Sequence, residues 1–509
     1  MRGTSPEYST RPNGAVMASN DGVGSGMSRR GFLRLLPPLL LAGCSPWPGG
    51  LGRWRETARQ RRLHLLYTND EHGWMQPTAT HGGAASLLHR WRQRHGLFDG
   101  SHHLLLSGGD MWTGPAISTS LDGQSMADIM NRMGYAAAAI GNHDFDFGPD
   151  VLRARAAQSS FPFLTANVKQ RGTDLPPDFA QAYSLHTVNG IRLGLVGLTT
   201  IETPIDTRPS YAEGYDFWRY DQALPPVLEQ VWAEGADLVI IVGHVCNREL
   251  EQLAPLAADY GAGLLTGGHC HEEHNEQVAG VHLIESGYFL RGYVSVDMLV
   301  DLDDKQPVSF EASVLPNPPG AADHALAERI EFWRQQLDPQ LFRPVGFTAK
   351  GIDRSSPWMD RLLTDAWLQA VPEAQIALAS RRYVQQSLPA GSVTPASVVG
   401  LLPVANVLMI VQLTGAQLVD TIRSRRPVLG GAEVVGDVVR LVGGAGVEAE
   451  TVYTVVVPDV IYYGANRYNL QAIDPHARDT GIDWRRPVVE YLEGLATSAD
   501  RPLEQVLAG

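Results

Sequence analysis

The chain has 509 residues and a formal net charge of −14, with 44% hydrophobic and 19% charged residues. This length favours two domains, and the composition is typical of a globular protein that buries sizeable cores. The acidic balance argues against a nucleic-acid polymer as partner, because proteins that bind a phosphate backbone usually present a basic face. A small anionic substrate stays possible, because a bound metal cluster can dominate the local field.

The first 44 residues carry an export signature. Residues 28–34 (SRRGFLR) match the twin-arginine pattern, and an apolar run follows over residues 35–42. A bilayer span needs roughly 20 apolar residues, so this run predicts a signal segment and not a transmembrane helix. The run ends in Leu41-Ala42-Gly43-Cys44, which resembles the lipobox of bacterial lipoproteins. We therefore predict twin-arginine export, a lipid anchor on Cys44 at the periplasmic side of the membrane, and a tether over residues 45–61.

A β-rich α/β domain is predicted over residues 62–322. Short runs rich in Val, Ile and Leu, bounded by polar or glycine turns, are typical of buried strands, and helix-like stretches lie between several of them. The predicted strands are 63–67, 103–106, 136–140, 161–164, 191–196, 238–242, 263–265, 281–284 and 293–302, and the predicted helices include 120–133 and 220–234.

Five polar motifs lie in this domain, nearly all directly after a predicted strand. Ligands of α/β sheets bind at the carboxyl ends of the strands, so we expect the motifs to meet in one cleft. Glycines before the polar residues let the backbone turn sharply and point a side chain into that cleft. The motifs are Asn69-Asp70-Glu71-His72, Gly108-Gly109-Asp110, Gly141-Asn142-His143-Asp144, Gly243-His244 and Gly267-Gly268-His269-Cys270-His271. Their carboxylate, amide and imidazole groups suffice to bind two cations.

A linker helix is predicted within residues 323–344. Asp323 suits the N-cap, because its carboxylate can accept hydrogen bonds from the free amides of the first turn. The charged amphipathic pattern that follows places Ala325, Ile330, Phe332 and Trp333 on its apolar side, and Asp338-Pro339 ends the helix. A second α/β region without histidine-rich motifs follows over residues 345–509.

The ordered motifs resemble those of the calcineurin-like metallophosphoesterases, and most closely those of the bacterial 5′-nucleotidase and UDP-sugar hydrolase group. The resemblance covers residues 62–509. It implies a four-layer αββα sandwich followed by a C-terminal α/β domain that contributes the substrate pocket. It also implies a hydrolase that cleaves a nucleotide or another small anionic phosphate ester with water activated by two divalent ions, drawn from Mn, Zn, Fe and Co.

The resemblance further implies roles for individual residues. His143 would stabilise charge on the leaving side of the phosphoryl group, and Asp146 would fix the tautomer of His143 and favour its protonated form. The two metal-ligand sets would share one bridging carboxylate. They are Asp70, His72, Asp110 and His271 for one metal, and Asp110, Asn142, His244 and His269 for the other.

The C-terminal region departs from the family's substrate pocket. Gln385 stands where the family has an arginine, Val460 where an aromatic residue usually stacks on the base, and Asn466-Arg467 where the family has Asp-Gly. The substrate contacts that we predict are Arg381, Arg382, Gln385, Asn466 and Arg467, with Tyr462 and Tyr463 as further candidates. They favour an anion of a different shape from a nucleotide, although surface residues that only support the fold fit the same pattern.

Two alternatives to a phosphoesterase remain. A thiosulfohydrolase acting on a sulfonated carrier protein would use the same site, but that group typically has Gly-His-Trp-Glu where this chain has Gly141-Asn142-His143-Asp144. A non-enzymatic envelope lipoprotein would keep the fold without needing every ligand. Cys246 and Cys270 lie beside candidate ligands, and the sequence leaves open whether they are bonded to each other or are two small buried residues.

Overall fold

The computed structural model describes residues 59–98, 100, 102–464 and 468–508. The predicted export signal and most of the predicted tether lie outside these residues. None of the helices within the described ranges is long and apolar enough to cross a membrane. The described residues form one unit by their mutual contacts.

The first part of the described chain alternates strands with helices. Its strands are β1 (Gln60–Thr68), β2 (His103–Ser107), β3 (Ala137–Ala139), β4 (Phe163–Leu164), β5 (Val168–Gln170), β6 (Tyr183–Val188), β7 (Ile191–Thr199), β8 (Tyr215–Phe217), β9 (Leu238–His244), β10 (Leu264–Thr266), β11 (Glu273–Val278), β12 (Val281–Ser286), β13 (Gly292–Asp301) and β14 (Gln306–Pro316). Its helices are α1 (Gly83–His95), α2 (Ala116–Thr119), α3 (Gln124–Met133), α4 (Pro149–Gln158), α5 (Thr203–Asp206), α6 (Pro209–Ala212), α7 (Tyr220–Ala233) and α8 (Asn247–Asp259), with a 3₁₀ turn at His143–Phe145.

These strands build two six-stranded sheets. The first has the order β14-β13-β1-β2-β3-β4 and the second the order β11-β12-β10-β9-β7-β6. Side chains alternate between the two faces of each strand: Leu65 packs into the core between the sheets, whereas its neighbour Leu66 packs under the helices. In the second sheet, Ile240 faces the inner core and Ile241 faces the helices α7 and α8. The predicted four-layer αββα sandwich is confirmed.

The predicted linker helix forms as α9 (His324–Gln335). Asp323 is its N-cap and accepts a hydrogen bond from the amide of Leu326 at 3.0 Å, as predicted. Ile330 and Trp333 are buried in the core under the first sheet, so α9 belongs to the outer helical layer. The prediction was wrong for Ala325, which is exposed because the next residue, Leu326, takes the buried position. It was also wrong for Phe332, which is 41% exposed and lies under the guanidinium of Arg329.

The remaining residues form the predicted second α/β region. Its strands are β15 (Gly346–Thr348), β16 (Ile376–Ala379), β17 (Gly391–Val393), β18 (Val407–Thr414), β19 (Val428–Gly430), β20 (Ala432–Val435), β21 (Val438–Leu441), β22 (Val452–Pro458) and β23 (Arg478–Asp483). Its helices are α10 (Pro357–Ala370), α11 (Pro395–Leu401), α12 (Gly415–Arg425), α13 (Asp459–Tyr463), α14 (Leu470–Ile473), α15 (Arg485–Leu495) and α16 (Leu503–Ala508). Five strands form a mixed sheet in the order β19-β16-β22-β18-β23, with a separate apolar core on each face.

Candidate active site

The five motifs lie at the carboxyl ends of parallel strands. β1, β2 and β3 run parallel in the first sheet, and β9 and β10 run parallel in the second. His244 is the last residue of β9, and the other motifs occupy the loops that follow β1, β2, β3 and β10. The predicted position of the motifs is therefore confirmed. Loops from both sheets meet over one edge of the sandwich.

The backbone of these loops is left-handed at most of the candidate ligands. A residue with a side chain adopts this conformation at a cost of about 1 kcal/mol or more, and such residues cluster at functional sites. Backbone hydrogen bonds between the loops hold it in place, such as that from the amide of Asp70 to the carbonyl of Gly109 at 2.9 Å. The values of φ are 50° for Asp70, 46° for His72, 57° for Asp110, 75° for His269 and 60° for His271.

A first group of potential metal ligands comprises Asp70, His72 and His271. One donor atom from each lies within 4.8 Å of the other two. The Nε2 atom of His271 is 3.2 Å from Asp70 Oδ1 and 3.3 Å from the Nε2 atom of His72. Asp70 is fully buried, and His271 is partly exposed on the cleft side.

A second group comprises Asp110, His244 and His269, which meet the same distance criterion. The Nε2 atom of His244 lies 3.1 Å from Asp110 Oδ2 and 3.2 Å from the side-chain oxygen of Asn142. The same Asp110 oxygen is 3.7 Å from the Nε2 atom of His72, a member of the first group. Asp110 therefore lies between the two groups, where a shared ligand is expected.

The donor chemistry of both groups fits divalent cations. The Nδ1 atoms of His72 and His244 each lie 2.8 Å from a backbone carbonyl, that of Thr113 and that of Gly108. A carbonyl only accepts hydrogen bonds, so Nδ1 carries the proton and Nε2 presents a lone pair. Both lone pairs face carboxylate oxygens, an arrangement that a cation between them satisfies. Asp70 Oδ1, which is buried and has no hydrogen-bond partner among the described residues, faces the same space.

Electrostatics at the site favour ionised carboxylates. Burial raises the pKa of Asp70 and of Asp110, but the surrounding histidines outweigh burial and hold both below their usual range. For His244, burial lowers the pKa, but the carboxylates of Asp110 and Asp70 raise it to about 9. A proton on His244 is therefore the competitor of a cation at this position. Metal binding at such a site releases protons and weakens as the solution becomes more acidic.

His143 lies beside the two groups and binds Asp146. Its Nδ1 atom is 2.7 Å from Asp146 Oδ2, and its amide donates to Asp110 Oδ1 at 2.8 Å. Burial lowers the pKa of His143, but Asp146 and Asp110 outweigh this effect and raise the pKa to about 10. The imidazole is 21% exposed and lines the cleft. The structure thus places the predicted pair in contact, with the Nε2 edge of a cationic imidazole available to a ligand.

Two further polar residues hold the loops together, and the sequence analysis gave them no role. Asp144 accepts hydrogen bonds from the amides of Gly141, Asp110 and Met111 at 2.8–3.0 Å. Asn69 donates to Asp70 Oδ2 at 2.7 Å and accepts from the amide of Ser286. Both residues belong to the five polar motifs. The sequence of a motif does not show which of its polar side chains point into the cleft and which bind the backbone of the loops.

Glycine is required at two turns of the site. Gly109 has a φ of 87°, in the region that favours glycine. At Gly141, a Cβ atom would lie 2.0 Å from Asp110 Oδ1 and 2.6 Å from the Asp110 amide nitrogen. A side chain at Gly141 would therefore displace the carboxylate that lies between the two groups.

A cavity of about 320 Å³ opens beside the two groups and extends to the C-terminal region. This size lies at the lower end of the range for small-molecule sites. From the first part of the chain it is lined by Asp110, Asn142, His143, Ile205, Asp206, Thr207, Arg208, Pro209, His269, Cys270 and His271. From the C-terminal region it is lined by Arg354, Arg382, Tyr383, Gln385, Val404, Asn406, Asp459, Val460, Tyr463, Gly464 and Trp484.

The predicted substrate contacts divide into three sets. Arg382 and Gln385 line the cavity, as does Tyr463 among the further candidates. Arg381 is not among the lining residues, because its guanidinium binds the carboxylate of Asp360, with Nε 3.0 Å from Oδ1. Asn466 and Arg467 lie outside the described residues. Their contact with substrate stays a prediction.

The cavity also contains charged residues that the sequence analysis missed. Arg208, just before α6, donates to Asp459 Oδ2 at 2.9 Å and to the carbonyl of Ala405 at 3.1 Å. Arg354 donates to the carbonyls of Val384 and Gln385 at 3.2 and 3.3 Å. None of these residues belongs to a motif or an apolar run. The only sequence signal for Arg208 is its place in a polar, proline-containing segment between the predicted strand 191–196 and the predicted helix 220–234.

Cys246 and Cys270 form a disulfide with a Cα–Cα distance of 5.2 Å. Cys246 lies two residues after His244, and Cys270 lies between His269 and His271. The question that the sequence left open is thus answered in favour of the bond.

Sequence comparison with known proteins finds similarity to 5′-nucleotidases. Residues 346–472 match the family described as 5′-nucleotidase, C-terminal domain. A 5′-nucleotidase of Vibrio cholerae serotype O1 is 27% identical to this chain, over 89% of this chain and 93% of its own length.

Solved structures share the fold. The 5′-nucleotidase precursor from Thermus thermophilus superimposes with a TM-score of 0.75 at 21% identity, covering 86% of this chain and 97% of that chain. The sulfate thiohydrolase SoxB of Thermus thermophilus gives a TM-score of 0.70 at 17% identity, covering 86% of this chain and 94% of that chain. At these identities the superpositions concern the fold and do not distinguish between the two activities.

Proposed function

The chain is a relative of the bacterial 5′-nucleotidases and a hydrolase with the metallophosphoesterase fold, and on that premise we propose that it cleaves a small phosphate ester with the help of two divalent cations. The observation that carries this proposal is that two groups of potential metal ligands lie side by side, with the Asp110 carboxylate between them. A binding protein has no chemical need for two adjacent cation sites next to a cationic imidazole. Mn, Zn, Fe and Co all suit such mixed oxygen and imidazole donors.

The proposed ligand sets follow the two groups. One cation would be held by Asp70, His72 and His271. The other would be held by Asn142, His244 and His269. Asp110 would bind both cations. When bound, such a pair of cations supplies Lewis acidity and a nucleophile derived from water at neutral pH. The side chains would orient the cations and the water, because their donor atoms project from loops that are hydrogen-bonded to one another.

His143 acts on the substrate side of the site. Its imidazolium, maintained by Asp146, would donate from Nε2 to a phosphoryl or leaving-group oxygen as negative charge develops there. Preorganised donors of this type lower the barrier because they need no reorientation during the reaction. The hydrogen bond from the backbone amide of His143 to Asp110 Oδ1 fixes His143 relative to the ligand groups.

The cavity supports an anion of modest size as substrate. Arg354 and Arg382 from the C-terminal region bring positive charge to a volume of about 320 Å³, and Arg208 on the opposite wall is paired with Asp459. Val460 lines this cavity where the family usually places an aromatic residue, so one face of a nucleobase would not be stacked. Stacking contributes about 1–3 kcal/mol per base, which makes a non-nucleotide phosphate ester as suitable as a nucleotide.

The envelope is the proposed location. The twin-arginine signature and the lipobox ending at Cys44 support export and lipid anchoring at the periplasmic side of the membrane. Thiosulfohydrolase activity is not favoured, because Asn142-His143 stands in the place of the motif typical of that group.

The test is a panel of nucleoside monophosphates, nucleotide sugars, simple phosphate monoesters and a sulfonated thiol peptide, offered to the wild-type chain and to His143→Ala. We expect phosphate release from at least one ester, reduced about 10²- to 10⁴-fold in the variant while its metal content stays at the wild-type level. No phosphate release from any ester by a chain that holds two cations would contradict the proposal. Sulfate release from the peptide alone would favour the thiosulfohydrolase.

A further inference from the structure

The Cys246–Cys270 disulfide joins the end of β9 to the loop after β10, two segments that carry three of the candidate metal ligands. Cys246 follows His244 by two residues at the end of β9, and Cys270 separates His269 from His271 after β10. His269 belongs to the group around Asp110, whereas His271 belongs to the group around Asp70. A single cross-link is thus attached to the backbone of both groups.

The turn that this cross-link holds is conformationally strained. His269 and His271 both have left-handed backbones, with φ of 75° and 60°. Noncovalent contacts also hold the turn. The amide of Gly268 donates to the carbonyl of Val245 at 3.2 Å, that of His269 donates to Asp70 Oδ2 at 3.0 Å, and the ring of His271 stacks on Tyr288 at 4.7 Å. The disulfide is the covalent link among them. Strain of this kind persists only where the surroundings fix the chain.

The disulfide is accessible from the cleft. Cys270 is exposed and lines the cavity, and Cys246 is partly buried at the start of α8. A cross-link that served only to stabilise a core would have no need to lie at the mouth of the site. The disulfide therefore lies where it can hold the backbone of the neighbouring candidate ligands.

We propose that the Cys246–Cys270 disulfide is a positioning device that holds His244, His269 and His271 in place for cation binding. This inference rests on the metal assignment of the proposed function. Reduction of the bond frees the 268–271 turn to leave its left-handed conformation, which moves His269 and His271 away from their partner carboxylates. Partners that orient metal ligands typically change metal affinity by about 10- to 100-fold when removed, and we expect a loss of this size for both cations.

The experiment measures metal affinity and not activity. Cation binding to the full chain is measured by equilibrium dialysis with elemental analysis, for the oxidised wild type, for the wild type reduced with a water-soluble phosphine, and for Cys246→Ser/Cys270→Ser. The phosphine breaks the S–S bond, yields two thiols and becomes a phosphine oxide with oxygen from water. The phosphine-treated double variant is the matched control, because it has no bond to lose, and circular dichroism checks that every form is folded.

We expect two cations per oxidised chain and affinities about 10- to 100-fold weaker in the reduced and double-serine forms. Equal affinities in all folded forms, with only a lower melting temperature after reduction, would overturn the inference. So would two or more reactive thiols in the unfolded, unreduced chain, because the bond predicts at most one, from Cys44. Redox-dependent binding without phosphate-ester hydrolysis would contradict the proposed function alone, and an active enzyme with redox-independent affinity would contradict this inference alone.

Discussion

At the scale of single residues, the site depends on pairs in which one side chain sets the state of another. The clearest pair outside the ligand groups is His143 and Asp146, joined at 2.7 Å. Asp146 is buried, and its carboxylate lies directly beside the imidazole. The ligand residues use backbone carbonyls for the same purpose, as His72 does with Thr113.

Asp146→Asn tests this pairing. The amide can still accept a hydrogen bond from Nδ1 but carries no charge, so the imidazolium loses stabilisation and the rate at neutral pH should fall about 10- to 100-fold. We expect the loss in kcat with little change in KM, measured by steady-state phosphate release. Asp178→Asn, at an exposed carboxylate that binds Arg153, is the matched control and should be silent. A change confined to KM would contradict the assigned role.

Asp459 gives a prediction for the pH dependence of stability. Burial raises its pKa to about 6, although Arg208 opposes the shift. The ordinary value is about 3.9, so the folded chain retains the Asp459 proton between about pH 4 and pH 6 where the unfolded chain has lost it. The contribution of this group therefore falls as pH rises through that window, by about 3 kcal/mol at most.

The comparison of wild type with Asp459→Asn isolates this effect by urea denaturation at pH 4 and pH 6.5. The variant should gain stability relative to the wild type at the higher pH. A difference between the two chains that is the same at both pH values would contradict the raised pKa.

The role of a residue could be predicted from the sequence only where the residue belongs to a recognisable motif. Asp70, His72 and His244 each follow an apolar strand, which places them at a sheet edge whatever the details of packing. Arg208 and Asp459 meet across 251 positions of sequence, in segments without periodicity, and only the folded chain brings them together.

At the scale of elements, the turns after the strands determine the geometry of the site. Strand pairing places the loops in one layer, and the loop conformation then aims each side chain. Gly141 illustrates this, because its missing Cβ leaves the space that Asp110 Oδ1 occupies.

Gly141→Ala should therefore remove cation binding near Asp110 while leaving the fold intact. The new methyl group displaces the Asp110 carboxylate, so metal content should fall to one cation per chain or fewer, measured by elemental analysis after dialysis. Gly263→Ala is the matched control, since a Cβ there meets nothing within 4 Å and the residue lies directly before β10. Two tightly held cations in Gly141→Ala would show that Asp110 does not need this space.

Apolar strands were predictable and polar ones were not. The run at 238–242 became β9 because both of its faces are buried. β11 (Glu273–Val278) carries charged and polar residues at all positions but the last and lies at an edge of the sheet, and nothing in its sequence distinguishes it from a loop. The predicted helix 120–133 begins only at Gln124, because Gly123 has a left-handed φ of 75°.

At the scale of the whole molecule, two α/β regions share one cleft. The first supplies the candidate ligands and the second supplies Arg354, Arg382 and Val460 to the cavity. The Arg208–Asp459 ion pair and the bond from Arg208 to the Ala405 carbonyl connect the two walls. Fold class was predictable from the order of strands and helices, whereas the lining of the shared cleft was not.

Metal removal should destabilise the whole first region. The ligands come from loops of both sheets, so cations that bind only the folded chain add stability according to their free concentration, about 2.7 kcal/mol at one hundred times the dissociation constant. We expect a chelator to abolish activity and lower the melting temperature, and Mn²⁺ or Zn²⁺ to restore both. A melting temperature that does not depend on metal concentration would contradict this linkage.

The proposed function requires Asp110 to lie between two cation sites whose ligands come from two different sheets. Anomalous diffraction from crystals of the purified chain, recorded above and below the absorption edge of the metal found by elemental analysis, tests it directly. We predict two anomalous peaks on either side of the Asp110 carboxylate, one beside His72 and His271 and the other beside His244 and His269. No peak next to Asp110, or peaks only at the group of exposed Glu251 and Glu276 and partly buried His274, would contradict the proposed function.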